Sequence, residues 1–395
     1  MIELSGLRKY VSRGGVAVRL EADIKFVDVE GAQYPASTMW FEIKKDYGAA
    51  FSDDTYDAFM LVGLYLAMYH KTDLRVRGNV SKKFYKNLSW YIQRILCDFS
   101  KELSPAEIIV DGFAPTKVKG NLIGTGISCG VDSLSTIYDR FVKETDPDYK
   151  VNALFIFNCG SHGDFNAAHT QQVFHSRAVR AVAVANDLKL PAVIVDTNLH
   201  QFRHKNDKDT VLFLSFYSCV LSMQNIIKRY YIPSGCSYNG IKDFGEKMRH
   251  DLATASDSYL IPLIQTERTE LIIDGCQYRR VDKIKNISDW DIARKYLNVC
   301  LIQKGEDSTN CGECSKCLRT QLTLEILGEL ENFSQVFDLE KYKKISFNYK
   351  VDSIRFVDQE IFFKENVELA AEKNYPMPVR RDCYVLDKNV LVINE

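Results

Sequence analysis

Within six residues, Ser128-Cys129-Gly130-Val131-Asp132-Ser133 gathers two hydroxyls, a carboxylate and a glycine. Small residues in a turn between strand and helix let free backbone N–H groups and the positive end of the helix converge on one anion. Two common phosphate loops do not fit. A dinucleotide loop needs G-x-G-x-x-G and an acidic residue ending the next strand, whereas Gly124, Gly126 and Gly130 are spaced otherwise and that strand ends in Asn158. A Walker loop needs Gly-Lys-Ser/Thr, which does not stand here. A second cluster, Cys311-Gly312-Glu313-Cys314-Ser315-Lys316-Cys317, is a C-x2-C-x2-C run with Cys300 upstream. Four thiolates on short loops match a tetrahedral zinc site. A bacterial iron–sulfur run wants another cysteine three residues on, where Leu318-Arg319-Thr320-Gln321 stands; Cys276 or Cys236 leaves a cluster open as the alternative.

These residues need elements to hold them. Leu134, Ile137, Tyr138, Phe141 and Val142 form an apolar helical face after the turn, so Asp132 and Ser133 fall in a first turn. Around it the chain alternates: apolar run 121–128, helix from 132, strand 151–158, long helix 171–186, strand 192–196, buried helix 211–227, then a strand at Tyr230-Tyr231-Ile232-Pro233. That order predicts an α/β fold, a doubly wound parallel sheet with helices on both faces. Strict alternation over 16–26, a strand near 39–43 and a helical face over 84–99 predict a separate N-terminal α+β unit over 1–115. The expected division is 1–115, then 116–330 with the glycine turn and the cysteines, then a less regular extension over 331–395 with strand-like pieces near 385–393.

The loop pattern S-x-G-x-D-S resembles the PP-loop ATP pyrophosphatase superfamily, usually S-G-G-x-D-S, with matches at Ser128, Gly130, Asp132 and Ser133 and a departure at Cys129. The resemblance implies the adenine nucleotide alpha hydrolase-like sheet and cleavage of ATP between its α- and β-phosphates. It also implies an ATP contact over Ser128 to Ser133, catalytic roles for Asp132 and Ser133, and magnesium held by Asp132. With Cys300, Cys311, Cys314 and Cys317 downstream and Arg319 after Leu318, residues 120–325 resemble the QueC-type 7-cyano-7-deazaguanine synthase family. Its members carry Pro-Leu followed by S-K-x-E-I; Pro262-Leu263 precedes Arg268, which stands in the place of the phosphate-holding lysine and keeps its charge. The family chemistry adenylates a carboxylate, or an amide, and admits ammonia or an amine, releasing AMP and pyrophosphate. Implied partners are ATP, zinc, magnesium, a nitrogen donor and a carboxylate-bearing acceptor such as a deazapurine. The extra residues at both ends leave room for a protein or nucleic-acid acceptor. A PP-loop enzyme that thiolates or amidates RNA bases and a non-catalytic ATP sensor are the alternatives.

Other residues are less specific. Asn158 ends a strand on the side where open sheets bind ligands and is a candidate nucleotide contact. Asp196 closes the next strand, and Arg177 or Arg180 could face phosphates. His200 and His204 have the spacing of a helical metal pair but sit in a charged loop. Arg279-Arg280 and the Lys341-Tyr342-Lys343-Lys344 stretch look like solvated faces. With 51 basic and 52 acidic residues, the chain has no global field to draw nucleic acid or an anionic membrane. Eleven cysteines, no secretory start and no run of roughly 18 to 20 apolar residues predict free thiols, a cytoplasmic setting and no membrane partner, and leave a homodimer open.

Overall fold

The structure is a computed structural model that describes residues 1–34, 36–116, 120–162, 168–203, 208–247, 257–300, 310–378, 384–387 and 390–392. Its strands are β1 (Ile2–Ser12), β2 (Ala17–Phe26), β3 (Thr38–Lys44), β4 (Leu74–Val80), β5 (Ile108–Phe113), β6 (Leu122–Gly126), β7 (Ala153–Asn158), β8 (Ala192–Thr197), β9 (Ile227–Pro233), β10 (Glu270–Asp274), β11 (Tyr384–Asp387) and β12 (Val390–Val392). The helices used below are α1 (Asp57–Tyr69), α2 (Val131–Ile137), α3 (Ala168–Asp187), α4 (Lys208–Ser222), α5 (Arg280–Ile287), α6 (Ser315–Leu327), α7 (Leu339–Arg355) and α8 (Ile361–Glu372). They belong to two compact units. One comprises Met1–Ile127, Arg140–Ser234 and Ile241–Asp274; the other comprises Ser128–Asp139, Gly235–Gly240 and Gly275–Glu395.

The first unit is α/β and carries a mostly parallel 10-stranded sheet in the order β10-β9-β6-β7-β8-β3-β2-β1-β4-β5. β6 has parallel neighbours on both sides, β7 and β9. The carboxyl end of such a strand is where open α/β sheets leave a crevice for ligands. β7 reads Ala-Leu-Phe-Ile-Phe-Asn and is buried at every position, as a central parallel strand must be. Its Phe155 ring lies across β6: a Cβ on Gly124 would come within 2.3 Å of that ring, so only glycine admits it. α1 is buried around nearly its whole circumference, which explains its unbroken apolar sequence.

The N-terminal residues are not a separate sheet. The alternation over 16–26 does form β2, with Leu20, Ala22 and Ile24 buried, but β3 pairs antiparallel with β8 through Phe41↔Thr197, Glu42↔Asp196 and Ile43↔Val195. Asn198 seals the seam: its side chain accepts from the Trp40 amide at 2.8 Å and donates to the Thr38 carbonyl at 2.8 Å. Local alternation specifies a strand and its buried face, not the strand it will neighbour, so the boundary near 115 divides no sheet. The buried helix expected over 211–227 ends at Ser222, and β9 begins at Ile227.

The second unit is mainly helical. Val281, Leu322, Ile326, Tyr349, Leu369 and Ala370 make a core contributed by α5, α6, α7 and α8. Beyond residue 331 the chain is more regular than expected: α7 is capped by Asp338, whose carboxylate accepts from the Lys341 amide, and the strand-like pieces near the end are the hairpin β11–β12. Within Lys341-Tyr342-Lys343-Lys344, Tyr342 is core, its hydroxyl donating to Glu325 at 2.7 Å.

Arg268 departs from its expected role. A 3-10 turn at Ile261–Leu263 precedes it and β10 begins at Glu270, and the Arg268 guanidinium is buried against Asp54 (2.9 and 2.6 Å), Ser52 (3.0 Å) and Asn225 (3.2 Å). The charge assigned to a phosphate is held by a carboxylate of the same unit. Arg268→Met is therefore expected to lower unfolding stability in urea by about 2 kcal/mol, less than for a fully buried pair because Asp54 is partly solvated. Bound metal per chain should not change.

Candidate functional site

The chain passes from β6 through Ile127 into the turn at Ser128, and the turn is held by its own side chains. The Ser128 and Ser133 hydroxyls lie 3.0 Å apart, Ser133 also donates to the Gly130 carbonyl at 3.2 Å, and Ser128 Oγ accepts from the Gly130 amide at 3.3 Å. The first helical bond runs from the Leu134 amide to the Gly130 carbonyl at 3.0 Å. Helical geometry therefore leaves the amides of Val131, Asp132 and Ser133 without intrahelical acceptors. The Cys129 carbonyl accepts from the Asn298 amide at 2.8 Å. Cys129 itself is buried with φ at 60°, in the left-handed region where a side chain costs roughly 1 kcal/mol. The turn asks for a positive φ at this position, which glycine adopts without that cost.

Asp132 is the centre of an ion cluster that the sequence did not announce. One carboxylate oxygen is 2.9 Å from Arg280 Nη1 and the other 3.2 Å from Lys283 Nζ. The Lys283 side chain is 1% exposed, a lysine position that is tenable only with a carboxylate partner. Burial of Asp132 opposes its ionisation, but Arg280 and Lys283, with Arg319 adding a further positive field, hold its carboxyl below the ordinary carboxylate range. Arg280 and Lys283 share one face of α5, whose first amides at Arg280 and Val281 donate to Glu365 at 2.7 and 3.4 Å. Burial pushes the Glu365 carboxyl up, while these amides pull it down. Arg280 is thus no solvated arginine. The basic–x–acidic order looked for at Arg268 recurs at Arg280-Val281-Asp282, and that recurrence was the signal available.

Cys300, Cys311, Cys314 and Cys317 form the only group of metal-ligand type among the described residues, with all four sulfurs within 4.8 Å of one another. Cys311 Sγ and Cys317 Sγ are 3.8 Å apart. Four thiolates about 2.3 Å from one ion would stand about 3.8 Å from each other, so the group could hold a single metal ion such as zinc. Gly312, at φ 77°, makes the turn between the first two ligands of the run. The Cys311 amide donates to Cys300 Sγ (3.4 Å) and the Cys314 amide to Cys311 Sγ (3.3 Å), the bonds that favour thiolates. Cys314 caps α6 and Cys317 lies in its first turn, so the helix is tied to the metal loop. The described cysteines are all free thiols.

The remaining expected residues fall elsewhere. Asn158 is buried at the end of β7 and donates to Asp196 at 3.0 Å, with Arg13 3.5 Å from the other Asp196 oxygen. Arg177 donates to the Ser161 carbonyl at 3.1 Å. His200 is buried, and its partner in the proposed pair, His204, lies outside the described residues. No helix among the described residues is long and apolar enough to cross a membrane. Comparison with known proteins finds no matching family model, curated protein or solved structure.

Cys129→Gly relieves the positive φ and should leave the unfolding midpoint within a few degrees of the parent. Cys129→Val, branched at Cβ in the same conformation, should lower it clearly in the same thermal melt. Metal analysis of the purified chain should find one ion per chain, and Cys314→Ser should remove it; a metal-free parent would refute the assignment.

Proposed function

We propose that the chain is an ATP-using ligase of the doubly wound PP-loop type, related in chemistry to 7-cyano-7-deazaguanine synthase. It would cleave ATP between the α- and β-phosphates and join a nitrogen nucleophile to an activated acceptor. The observation that carries this reading is the buried Arg280–Asp132–Lys283 cluster on a small-residue turn that follows the central parallel strand β6. The strand order supports it too: numbered within the parallel half, β6 to β10 run 3-2-1-4-5 from β8 to β10, the order of doubly wound nucleotide folds.

The chemistry assigns each group a task. A carboxylate oxygen of the acceptor attacks the α-phosphorus, the bond to the β-phosphate bridging oxygen breaks, and pyrophosphate leaves. Ammonia or an amine then attacks the acyl carbonyl, AMP departs, and a C–N bond remains. Charge develops on the departing pyrophosphate, and Arg280 and Lys283 are fixed donors for it that need no reorganisation. The unbonded amides after Gly130 approach the phosphates, Ser128 and Ser133 keep the turn in shape, and Asp132 holds the two cations in register. Magnesium, which neutralises phosphate charge when bound, would take its ligands chiefly from phosphate oxygens and water, because both Asp132 oxygens are engaged by Arg280 and Lys283. The cysteine site fits zinc better than an iron–sulfur cluster, since a cluster interposes its own irons and sulfides and drives the thiolates apart. A site closed by four protein ligands is structural. Free thiols and a metal held by thiolates suit a cytoplasmic protein.

The test supplies ATP, magnesium, ammonia and 7-carboxy-7-deazaguanine and follows AMP and pyrophosphate. Asp132→Asn, checked by circular dichroism for retained structure, should slow release by about a hundredfold or more. Orthophosphate as the product, or an unaffected Asp132→Asn protein, would overturn the mechanism. Nucleotide bound without turnover across carboxylate acceptors would favour a sensor.

A further inference from the structure

Helix α8 presents one face to a cavity of about 290 Å³ that lies wholly within the helical unit. Ile361, Lys364, Glu365 and Glu368 have the spacing of a single helix face, and the loops that carry Tyr238 and Arg279 complete the lining. This face lies beyond residue 330, outside the stretch that resembles a known family. No described residue of the glycine turn or the metal loop lines the cavity.

Its charged groups are not alike. Carboxylates saturate the Arg279 guanidinium: Asp282 at 2.9 and 3.1 Å, Glu368 at 3.3 Å and Glu372 at 3.1 Å. Glu368 is occupied by the same contact. Glu365, 5% exposed, is only half satisfied. Its Oε2 accepts the Arg280 and Val281 amides at 2.7 and 3.4 Å, whereas its Oε1 accepts no hydrogen bond among the described residues. Capping α5 uses the first oxygen and leaves the second unexplained. Oε1 is not sealed from water, so the surface it keeps opens on the cavity that Glu365 lines.

No cation of the described residues meets that oxygen. Arg280 turns Nη1 to Asp132 at 2.9 Å and Nη2 to the Gly235 carbonyl at 3.1 Å, and its Nε reaches no acceptor, Glu365 included. Lys364 is exposed at the adjacent helix position, which does not face Glu365. The Cys236 thiol nearby is pushed up to about 12 by burial and is neutral.

These features select the ligand. A carboxylate oxygen left open at low exposure calls for a cationic N–H donor, which restores both the charge balance and the hydrogen bond that burial removed. A guanidinium would want both oxygens in its planar fork, and Oε2 is taken; an ammonium needs one. An anion would have to approach Glu365 and Glu368 together. Ile361 and the Tyr238 ring supply apolar surface for a short chain. We propose that the cavity binds a small primary alkylamine as its ammonium, with Glu365 Oε1 as the acceptor and Ile361 and Tyr238 packing the chain. The nitrogen donor of the ligase reading belongs to this class, and the proposal rests on that reading for the role of the amine, not for its binding.

A ligand-observed NMR titration of n-butylammonium chloride into the full metal-loaded chain, without ATP, tests the site, with n-butanol and butyrate as isosteres of other charge. Butylammonium should bind at least about tenfold tighter than either. Glu365→Gln keeps an oxygen for the α5 amides but replaces the open oxygen with an N–H donor; it should weaken butylammonium at least about tenfold with the bound metal retained. A residue that only caps α5 would leave the amine affinity unchanged. Gln277→Trp, at an exposed position on the lining, should obstruct the cavity and weaken the amine with Glu365 intact. No butylammonium binding by the parent, equal affinity for the three probes, or unchanged affinity in Glu365→Gln overturns the site. Should the Gln variant fail to fold, unchanged affinity in Gln277→Trp overturns it. Amine binding that depends on Glu365 in a protein that never releases pyrophosphate would retain the site and reject the ligase reading. Pyrophosphate release by a protein that binds no alkylamine would do the reverse.

Discussion

The arrangement of the helical unit turns on the buried contact between Lys283 and Asp132. An ammonium that is 1% exposed must be satisfied on the spot, so α5 is locked to the first turn of α2 in one register. Arg280, one turn earlier on α5, then has no choice but to reach the other carboxylate oxygen. Glu365 on α8 fixes the amino end of α5 by accepting its first amides. From one ion pair and one helix-end contact, three helices distant in sequence acquire a defined relation. Such buried charge is poor at adding stability and good at specifying geometry, which is the balance expected where charges are kept for a ligand.

A similar economy shapes the sheet. Gly124 lets the Phe155 ring cross β6, and the Asn198 side chain completes the seam between β3 and β8 as a backbone group would. The N-terminal strands, joined antiparallel through β3, thereby extend the sheet beyond β8.

Much of this was legible. The apolar run of β7, the alternating β2, the long helix α3 and the small-residue turn all follow from local pattern, and the cysteine spacing foretold a four-sulfur cluster. The failures have physical causes. β1 lost its alternation because the register shifts between Ser5 and Arg8, which turns its side chains over midway. α7 and α8 were missed because they bury tyrosines, serines and amides, whose periodicity is faint on a hydrophobic scale. Arg280 looked like solvent-facing charge, and Lys283 drew no reading, because a single sequence shows which residues carry charge, not toward which carboxylate a helix turns them. Arg268 misled for the converse reason: it has the right charge beside the right motif, but Asp54, far away in sequence, claims it.

Cys129 has one more consequence. Its thiol is 1% exposed in the closed turn, and its backbone is already displaced from the region most residues prefer. A thiol reagent reaches it only in the moments when the turn comes apart. Under conditions where closing outpaces labelling, the alkylation rate at Cys129 reports the free energy of opening the turn, so the residue that departs from the glycine pattern is also a built-in clock for it.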